Sequence, residues 1–141
     1  MNTDPARKLN ILVAEDDELN RVLLCEILER YGCTYKAAEN GKAAVDLFLK
    51  ENFDVVFMDL NMPVMDGYEA ARAIREIESS GFGRTPIAAL SASVLLSERE
   101  KAFASEMDYH FTKPYFPSQV YVFLDRLTEN TAGYTAPIEE G

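Results

Sequence analysis

Side chains that could do chemistry stand where successive apolar segments of the chain end. They are, in chain order, Glu15 and Asp16, then Asp59, Ser91 and Lys113. Carboxylates held about 4 Å apart repel one another by roughly 4 kcal/mol at an effective dielectric of about 20, so clustered acids need a cation. The lysine supplies one positive charge. A hard divalent ion with oxygen ligands, Mg²⁺ or its surrogate Mn²⁺, would supply the rest.

This set of groups suits phosphoryl transfer. A metal ion and an ammonium group neutralise the phosphoryl oxygens, and a carboxylate can act as the nucleophile to give an aspartyl-phosphate. Asp59 stands alone after an apolar segment and precedes a tight loop, residues 60–63, which leaves its side chain free. We therefore assign the nucleophile's role to Asp59 and the metal to Glu15 and Asp16.

Alternating strand and helix patterns would bring these groups to one edge of a sheet. Short apolar runs predict five strands, at residues 9–14, 34–38, 53–58, 87–90 and 109–111. A helical pattern follows each strand, which favours an α/β fold with a single doubly wound parallel sheet and helices on both faces. Functional groups of such a sheet gather at the carboxyl ends of its strands, where the side chains named above would meet.

The helical patterns also predict which faces reach the core. Leu19, Leu23 and Ile27 recur every fourth residue. Together with Leu24, Leu28 and Tyr31 beside them, they predict a first helix with one wide apolar face. The charged run at residues 97–101 is expected to form a solvated face of the fourth helix. The last helix is predicted over residues 118–127.

The length of 141 residues fits one domain. We interpret residues 1–8 as an N-terminal extension, residues 9–127 as the domain and residues 128–141 as an acidic flexible tail. A composition of 48% hydrophobic and 27% charged residues excludes a disordered or fibrous protein.

Charge and cysteine content narrow the range of partners. The formal net charge of −10 disfavours direct binding to nucleic acid or to an anionic membrane. No apolar run has the length of a membrane span, and the first residues lack a secretion signal pattern. Cys25 and Cys33 fit neither a disulfide framework nor a metal cluster. These features predict a cytoplasmic protein with reduced thiols.

Four motifs, ILVAEDDELN, VVFMDLNMPVMDG, PIAALSA and HFTKP, resemble in this order the landmarks of the response-regulator receiver domain. The resemblance covers residues 9 to about 127. It implies a flavodoxin-like sheet of order 2-1-3-4-5. It also implies a signalling domain rather than an enzyme, one that takes a phosphoryl group from a sensor histidine kinase or a histidine phosphotransfer protein. Such a domain switches conformation in the presence of Mg²⁺ and slowly hydrolyses its phosphate.

The resemblance also assigns roles at the phosphorylation and metal site. Asp59 matches the phosphoacceptor and also a metal ligand. Asp16 matches the direct magnesium ligand, and Glu15 matches the other member of the acidic pair. Asn61 matches the residue that gives its backbone carbonyl to the metal.

A second group of matches concerns the conformational switch. Ser91 matches the switch hydroxyl, and Lys113 matches the site lysine, usually followed by a cis-proline, here Pro114. His110 stands where the switch aromatic is usually Tyr or Phe, which leaves its coupling to Ser91 open. Asn20, four residues after Asp16, resembles the receivers of hybrid sensor kinases and phosphorelays.

Two alternatives of other classes remain. A phosphatase of the haloacid-dehalogenase type also uses an aspartate nucleophile, but it usually carries an acid two residues later, where this chain has Asn61. A degenerate receiver that serves only as a docking scaffold would have lost its acids or lysine, and this chain retains them. For a functional receiver, a phosphorylation-sensitive partner surface is expected on the fourth helix, fifth strand and fifth helix.

Overall fold

Five strands alternate with five helices in the computed structural model, which describes residues 8–81 and 83–129. The strands are β1 Asn10–Ala14, β2 Thr34–Ala38, β3 Val55–Asp59, β4 Ile87–Ser91 and β5 Tyr109–Thr112. The helices are α1 Glu18–Tyr31, α2 Gly41–Lys50, α3 Gly67–Glu78, α4 Leu96–Ala104 and α5 Pro117–Glu129. All strand pairs are parallel, in the order β2-β1-β3-β4-β5. The predicted fold class and strand order are confirmed.

Alternate residues of the buried central strands supply two separate apolar layers. In β3, Val56 and Met58 belong to the layer covered by α2, α3 and α4. Val55 and Phe57 belong to the layer covered by α1 and α5. Because both faces are covered, a strand such as β3 is buried along its whole length and appears in the sequence as a continuous apolar run.

The wide apolar face predicted for α1 is wrong at two of its six positions. Leu19 is 67% exposed and Leu23 is 49% exposed, whereas Leu24 and Leu28 are buried. The helix packs on the sheet through the stripe that contains Leu24, Cys25 and Leu28, and one side of a sheet covers only such a stripe. The α1 helix therefore carries apolar side chains that the described part of the domain does not cover.

The last helix extends two residues beyond its predicted end and closes at Glu129. The Thr128 hydroxyl lies 3.2 Å from the backbone carbonyl of Leu124 and 2.9 Å from that of Asp125, so it can donate its one hydrogen to either acceptor at the helix end. The predicted extension at residues 1–7 and the predicted tail at residues 130–141 lie outside the described residues. None of the described helices is both long and apolar enough to span a membrane.

A buried ion network closes the end of the sheet opposite the strand carboxyl ends. Arg75 contacts Glu78 at 2.7 Å and Asp108 at 2.8 Å, and it also donates to the carbonyl of Glu106 at 2.9 Å. The side chains of Arg75 and Glu78 are each only 7% exposed. The network joins α3 to the segments that enter β4 and β5, because Asp108 also accepts from the backbone of Ile87.

Replacement of Arg75 by alanine is expected to lower the free energy of unfolding by about 3–5 kcal/mol, since two carboxylates would lose their buried cation. Urea denaturation measures this loss. Arg30→Ala is the matched control, because Arg30 pairs with Glu26 at the surface, where the side chains are 72% and 53% exposed; its expected cost is below about 1 kcal/mol. A loss for Arg75→Ala as small as that of the control would contradict the structural role of the network.

Candidate functional site

The carboxyl ends of the strands bring the predicted acids and the lysine into one cluster. Lys113 Nζ lies 2.7 Å from Glu15 Oε1 and 3.3 Å from Asp59 Oδ2. One carboxylate oxygen each from Glu15, Asp16 and Asp59 lie within 4.8 Å of one another. The lysine thus joins the ends of β1 and β3 from its position just after β5.

The acidic pair is held by the start of α1. Asp17 caps this helix and accepts a hydrogen bond from the backbone of Asn20 at 2.8 Å. The Arg21 guanidinium donates to the backbone carbonyl of Glu15 at 2.9 Å. The role of Arg21 could not be predicted from the sequence, because an arginine that binds a backbone carbonyl leaves no signal in residue type or spacing.

Asp59 is held on one side at its carboxylate and on the other side at its backbone carbonyl. The backbone N–H of Asn61 donates to Asp59 Oδ1 at 3.1 Å. On the other side, α3 begins so close that a Cβ on Gly67 would stand 2.2 Å from the carbonyl oxygen of Asp59. Only glycine fits at that position without displacement of the backbone. The part that Gly67 plays in the site could not be predicted from the sequence, since the close approach joins residues eight positions apart.

Burial and neighbouring charge act in the same direction on the pKa of Asp59 but in opposite directions on the pKa of Lys113. Asp59 is 4% exposed, and its burial, reinforced by the neighbouring Glu15, raises the pKa of the Asp59 carboxyl well above its usual range. Burial alone would lower the pKa of the Lys113 ammonium, but its contacts with Glu15 and Asp59 outweigh this effect and raise it. The lysine is thus held as a cation, and one cation is insufficient for the three carboxylates.

The donor set fits a hard divalent ion. Three carboxylates converge, two of them buried and one, Asp16, exposed to solvent at the mouth. Oxygen-only donors with an open side match Mg²⁺, which keeps some of its water ligands. Lys113 occupies the space between Glu15 and Asp59, so an ion on the Asp16 side would supply the missing charge.

Ser91, at the end of β4, faces a different partner. It is fully buried; its hydroxyl donates to Glu98 Oε1 at 3.5 Å and accepts from the backbone of Ser93 at 3.0 Å. Glu98 belongs to the charged run predicted to be a solvated face, and this prediction is wrong at Glu98, which is half-buried. The sequence could not show it, because a charged helical run does not reveal which member turns inward.

His110 lies inside the domain. It is 1% exposed and pairs in register with Ala89 of β4. Its neighbours Tyr109 and Phe111 belong to the layer under α1 and α5, so strand alternation places His110 on the α3–α4 side. The Lys113–Pro114 peptide bond is cis, as the resemblance implied.

The model of the response regulator receiver domain family matches residues 11–124 of the chain. The chain belongs to this family. The resemblance seen in the four motifs is confirmed, and the family is one of signalling domains rather than of turnover enzymes.

The receiver domain is similar to a part of longer proteins. It is 36% identical over 120 residues to the hybrid signal transduction histidine kinase I of Dictyostelium discoideum, a match that covers 82% of this chain but 7% of that protein. This agrees with the resemblance to receivers of hybrid sensor kinases that Asn20 indicates.

Solved receiver domains share the fold. The receiver domain of the sensor histidine kinase PA1611 from Pseudomonas aeruginosa, determined with a magnesium ion in its active-site cleft, is 29% identical, with a TM-score of 0.78 over 87% of this chain and 99% of that one. The receiver domain of Saccharomyces cerevisiae Ssk1, in a complex with the histidine phosphotransfer protein Ypd1, is 33% identical, with a TM-score of 0.74 over 86% of this chain and 88% of that one.

Asp59→Asn is expected to raise the free energy of unfolding by about 1 kcal/mol near neutral pH in metal-free buffer, because a neutral amide removes the crowded charge. Since folding raises the pKa of Asp59, the native state keeps this proton to higher pH than the unfolded chain does. The stability that the protonated carboxyl supports in the wild type is therefore complete below the unfolded pKa and is lost as pH rises through the folded pKa. The difference in free energy of unfolding between Asp59→Asn and wild type therefore increases as the pH rises through the folded pKa.

Urea denaturation at a series of pH values from about 4 to about 8 measures this growth. Asp46→Asn is the control, because Asp46 is exposed on α2 beside Lys42. A stability difference between Asp59→Asn and wild type that does not change with pH would contradict the crowded-charge explanation.

Proposed function

We propose that this receiver accepts a phosphoryl group on Asp59 from a phosphohistidine of a sensor histidine kinase or a histidine phosphotransfer protein. The observation that carries the proposal is the Lys113 ammonium, 2.7 Å from Glu15 and 3.3 Å from Asp59 at the open edge of the sheet. An Asp59 oxygen forms the new bond to phosphorus while the phosphorus–nitrogen bond of the donor breaks, and the electron pair of that bond stays on the imidazole nitrogen.

The residues around Asp59 divide the work of this transfer. Lys113 lies against the acceptor carboxylate, where it can neutralise an added phosphoryl oxygen. Asn61 holds the other acceptor oxygen through its N–H and so fixes the orientation of the carboxylate. Glu15, Asp16, Asp59 and the backbone carbonyl of Asn61 would hold Mg²⁺, or Mn²⁺ in its place. When bound, the ion supplies charge neutralisation for the phosphoryl oxygens.

The same site supports slow hydrolysis rather than turnover of small phosphate esters. A phosphatase that uses an aspartate nucleophile needs a general acid near it, and the residue two positions after Asp59 is the amide Asn61. We therefore propose self-phosphorylation from a donor and slow loss of the phosphate as the only chemistry of the domain.

Phosphorylation is proposed to act on the face formed by α4, β5 and α5. A bond from the Ser91 hydroxyl to a phosphoryl oxygen would draw the end of β4 inward, and the buried His110 on the neighbouring strand would follow. The segment before α4 and the helices α4 and α5 carry exposed apolar side chains suited to a protein partner, at Val94, Leu95, Leu96, Phe103 and Val122.

The donor is proposed to dock on a different surface, beside the mouth of the site. Leu19 and Leu23 of α1 are exposed, and Phe116, which follows the lysine loop, is 73% exposed. A cleft of about 880 Å³ lies between α1 and the segment that leads into α5. An apolar helix face of a phosphohistidine protein fits this surface and would bring its imidazole to Asp59.

We place this exchange in the cytoplasm and assign it to residues 9–127. Both cysteines of the described region, Cys25 and Cys33, are free thiols, which suits a reducing compartment. The family match at residues 11–124 falls within the proposed unit.

The phosphoacceptor assignment is tested by incubation with acetyl phosphate, followed by intact-protein mass spectrometry. Wild-type protein is expected to gain one phosphoryl group in the presence of Mg²⁺ and almost none with a chelator, because the acid cluster repels the donor without a cation. Asp59→Asn is expected to gain none under either condition. The matched control is Asp66→Asn, an acid seven residues later that caps α3 and does not belong to the cluster. A labelled Asp59→Asn protein would overturn the assignment.

The docking proposal is tested with Leu23→Asp and two phosphodonors. Transfer from phosphorylated Ypd1 is expected to slow at least about tenfold, because a charge would replace an apolar contact. Phosphorylation by acetyl phosphate, which needs no docking surface, is expected to remain unchanged. Leu49→Asp on α2 is the control, since Leu49 is 62% exposed and lies on another helix. Equal losses with both donors would show that Leu23 acts on the site itself.

A further inference from the structure

The Ser91 hydroxyl has a single hydrogen, and Glu98 receives it. The Oγ–Oε1 distance is 3.5 Å, while the oxygen of the same hydroxyl accepts the Ser93 N–H at 3.0 Å. A serine hydroxyl donates once, so it cannot serve Glu98 and another anionic acceptor at the same time. The hydroxyl that the proposed switch requires is therefore already engaged in the unphosphorylated domain.

Glu98 is turned towards the interior of the domain. It is half-buried in the first turn of α4. Burial raises the pKa of the Tyr68 hydroxyl, and the charges of Glu98 and Asp66 raise it further. Lys101, one turn further along α4, lies with its Nζ 4.3 Å from the centre of the Tyr68 ring. This side of α4 thus packs against α3.

The two ends of α4 are held unequally. At the C-terminal end, Arg72 donates to Ser105 at 3.2 Å and Arg75 donates to the carbonyl of Glu106 at 2.9 Å. At the N-terminal end, the capping residue Leu95 provides no side-chain hydrogen bond to the helix. The Ser91–Glu98 contact is therefore a polar link from the weakly held end of α4 to the end of β4.

We propose that Glu98 is a positioning residue that competes with the phosphoryl group for the Ser91 hydroxyl. The inference rests on the proposed phosphorylation of Asp59. In the unphosphorylated domain Glu98 holds the hydroxyl and, through it, the first turn of α4. Once Ser91 donates to the phosphoryl oxygen, Glu98 is released and the first turn of α4 is free to move about its anchored C-terminal end.

The length of the Ser91–Glu98 hydrogen bond indicates how strongly Glu98 competes with the phosphoryl group. At 3.5 Å the Ser91–Glu98 bond is longer than an ordinary hydroxyl hydrogen bond and is correspondingly weak. A phosphoryl group carries more negative charge than a carboxylate and forms a shorter, charge-assisted bond, so it wins the competition. Glu98 therefore weakens the binding of a phosphoryl analogue by a few-fold and does not prevent the switch.

Beryllofluoride, which bonds to a carboxylate in the presence of Mg²⁺ as a phosphoryl analogue, provides the test. Its apparent Kd is measured by calorimetry, and its bound state by ¹⁹F NMR. Glu98→Ala is expected to bind beryllofluoride about fivefold more tightly than wild type, because Ser91 no longer has to leave a competing acceptor. Glu98→Gln, which keeps an acceptor oxygen, is expected to fall between them. Glu100→Ala removes the same charge from an exposed position of α4 and is expected to match wild type.

The Ser91→Ala background separates competition from other effects. Without the hydroxyl, the gain from Glu98→Ala is expected to disappear. A gain that persists in Ser91→Ala, or that Glu100→Ala reproduces, would overturn the inference in favour of a general charge effect, as would an unchanged Kd for Glu98→Ala. Wild-type protein that fails to bind beryllofluoride with Mg²⁺ would instead overturn the proposed phosphorylation of Asp59.

Discussion

Crowding of negative charge at one edge of the sheet is the constraint on which the rest of the structure depends. Glu15 and Asp59 are almost completely buried, and Asp16 stands beside them at the mouth. Their mutual repulsion is offset by one lysine, and the arrangement is stable only because the surrounding fold fixes the backbone that carries them. The crowded carboxylates are electrostatically unfavourable on their own, and a cation that binds beside Asp59 would relieve their repulsion.

At the opposite end of the sheet, the buried charges are paired with one another around Arg75. Around Arg75 the charges alternate in sign, and each carboxylate has a guanidinium or a backbone N–H within hydrogen-bond distance. In this network each carboxylate is already paired, whereas the acid cluster has one lysine for three carboxylates. One end of the sheet thus holds the paired charges around Arg75, and the other holds the acid cluster, which can respond to a bound cation or phosphoryl group. The α4 helix runs between them, with its C-terminal end at the Arg75 network and its first turn beside Ser91.

The sequence was sufficient for the parts of the domain that depend on local patterns. Buried strands such as β3 appear as apolar runs, and the strand ends then place Glu15, Asp59 and Lys113 together by topology alone. The strand order and the cis-proline came from the resemblance to receivers. The sequence could not predict contacts that depend on which neighbouring element covers a side chain. The spacing of Leu19 and Leu23 could not show that the sheet leaves them bare, nor could a charged run show that Glu98 turns inward.

The close fit of Gly67 against Asp59 has a consequence for where motion can arise. With no room for even a methyl group between the acceptor's carbonyl and the start of α3, these two segments form a stationary base. A group added to the carboxylate cannot be accommodated by retreat of its own backbone. The rearrangement is therefore directed across the pocket, to the segment between β4 and α4. The direction in which the signal leaves the site thus follows from the missing side chain of Gly67 on the opposite side of Asp59.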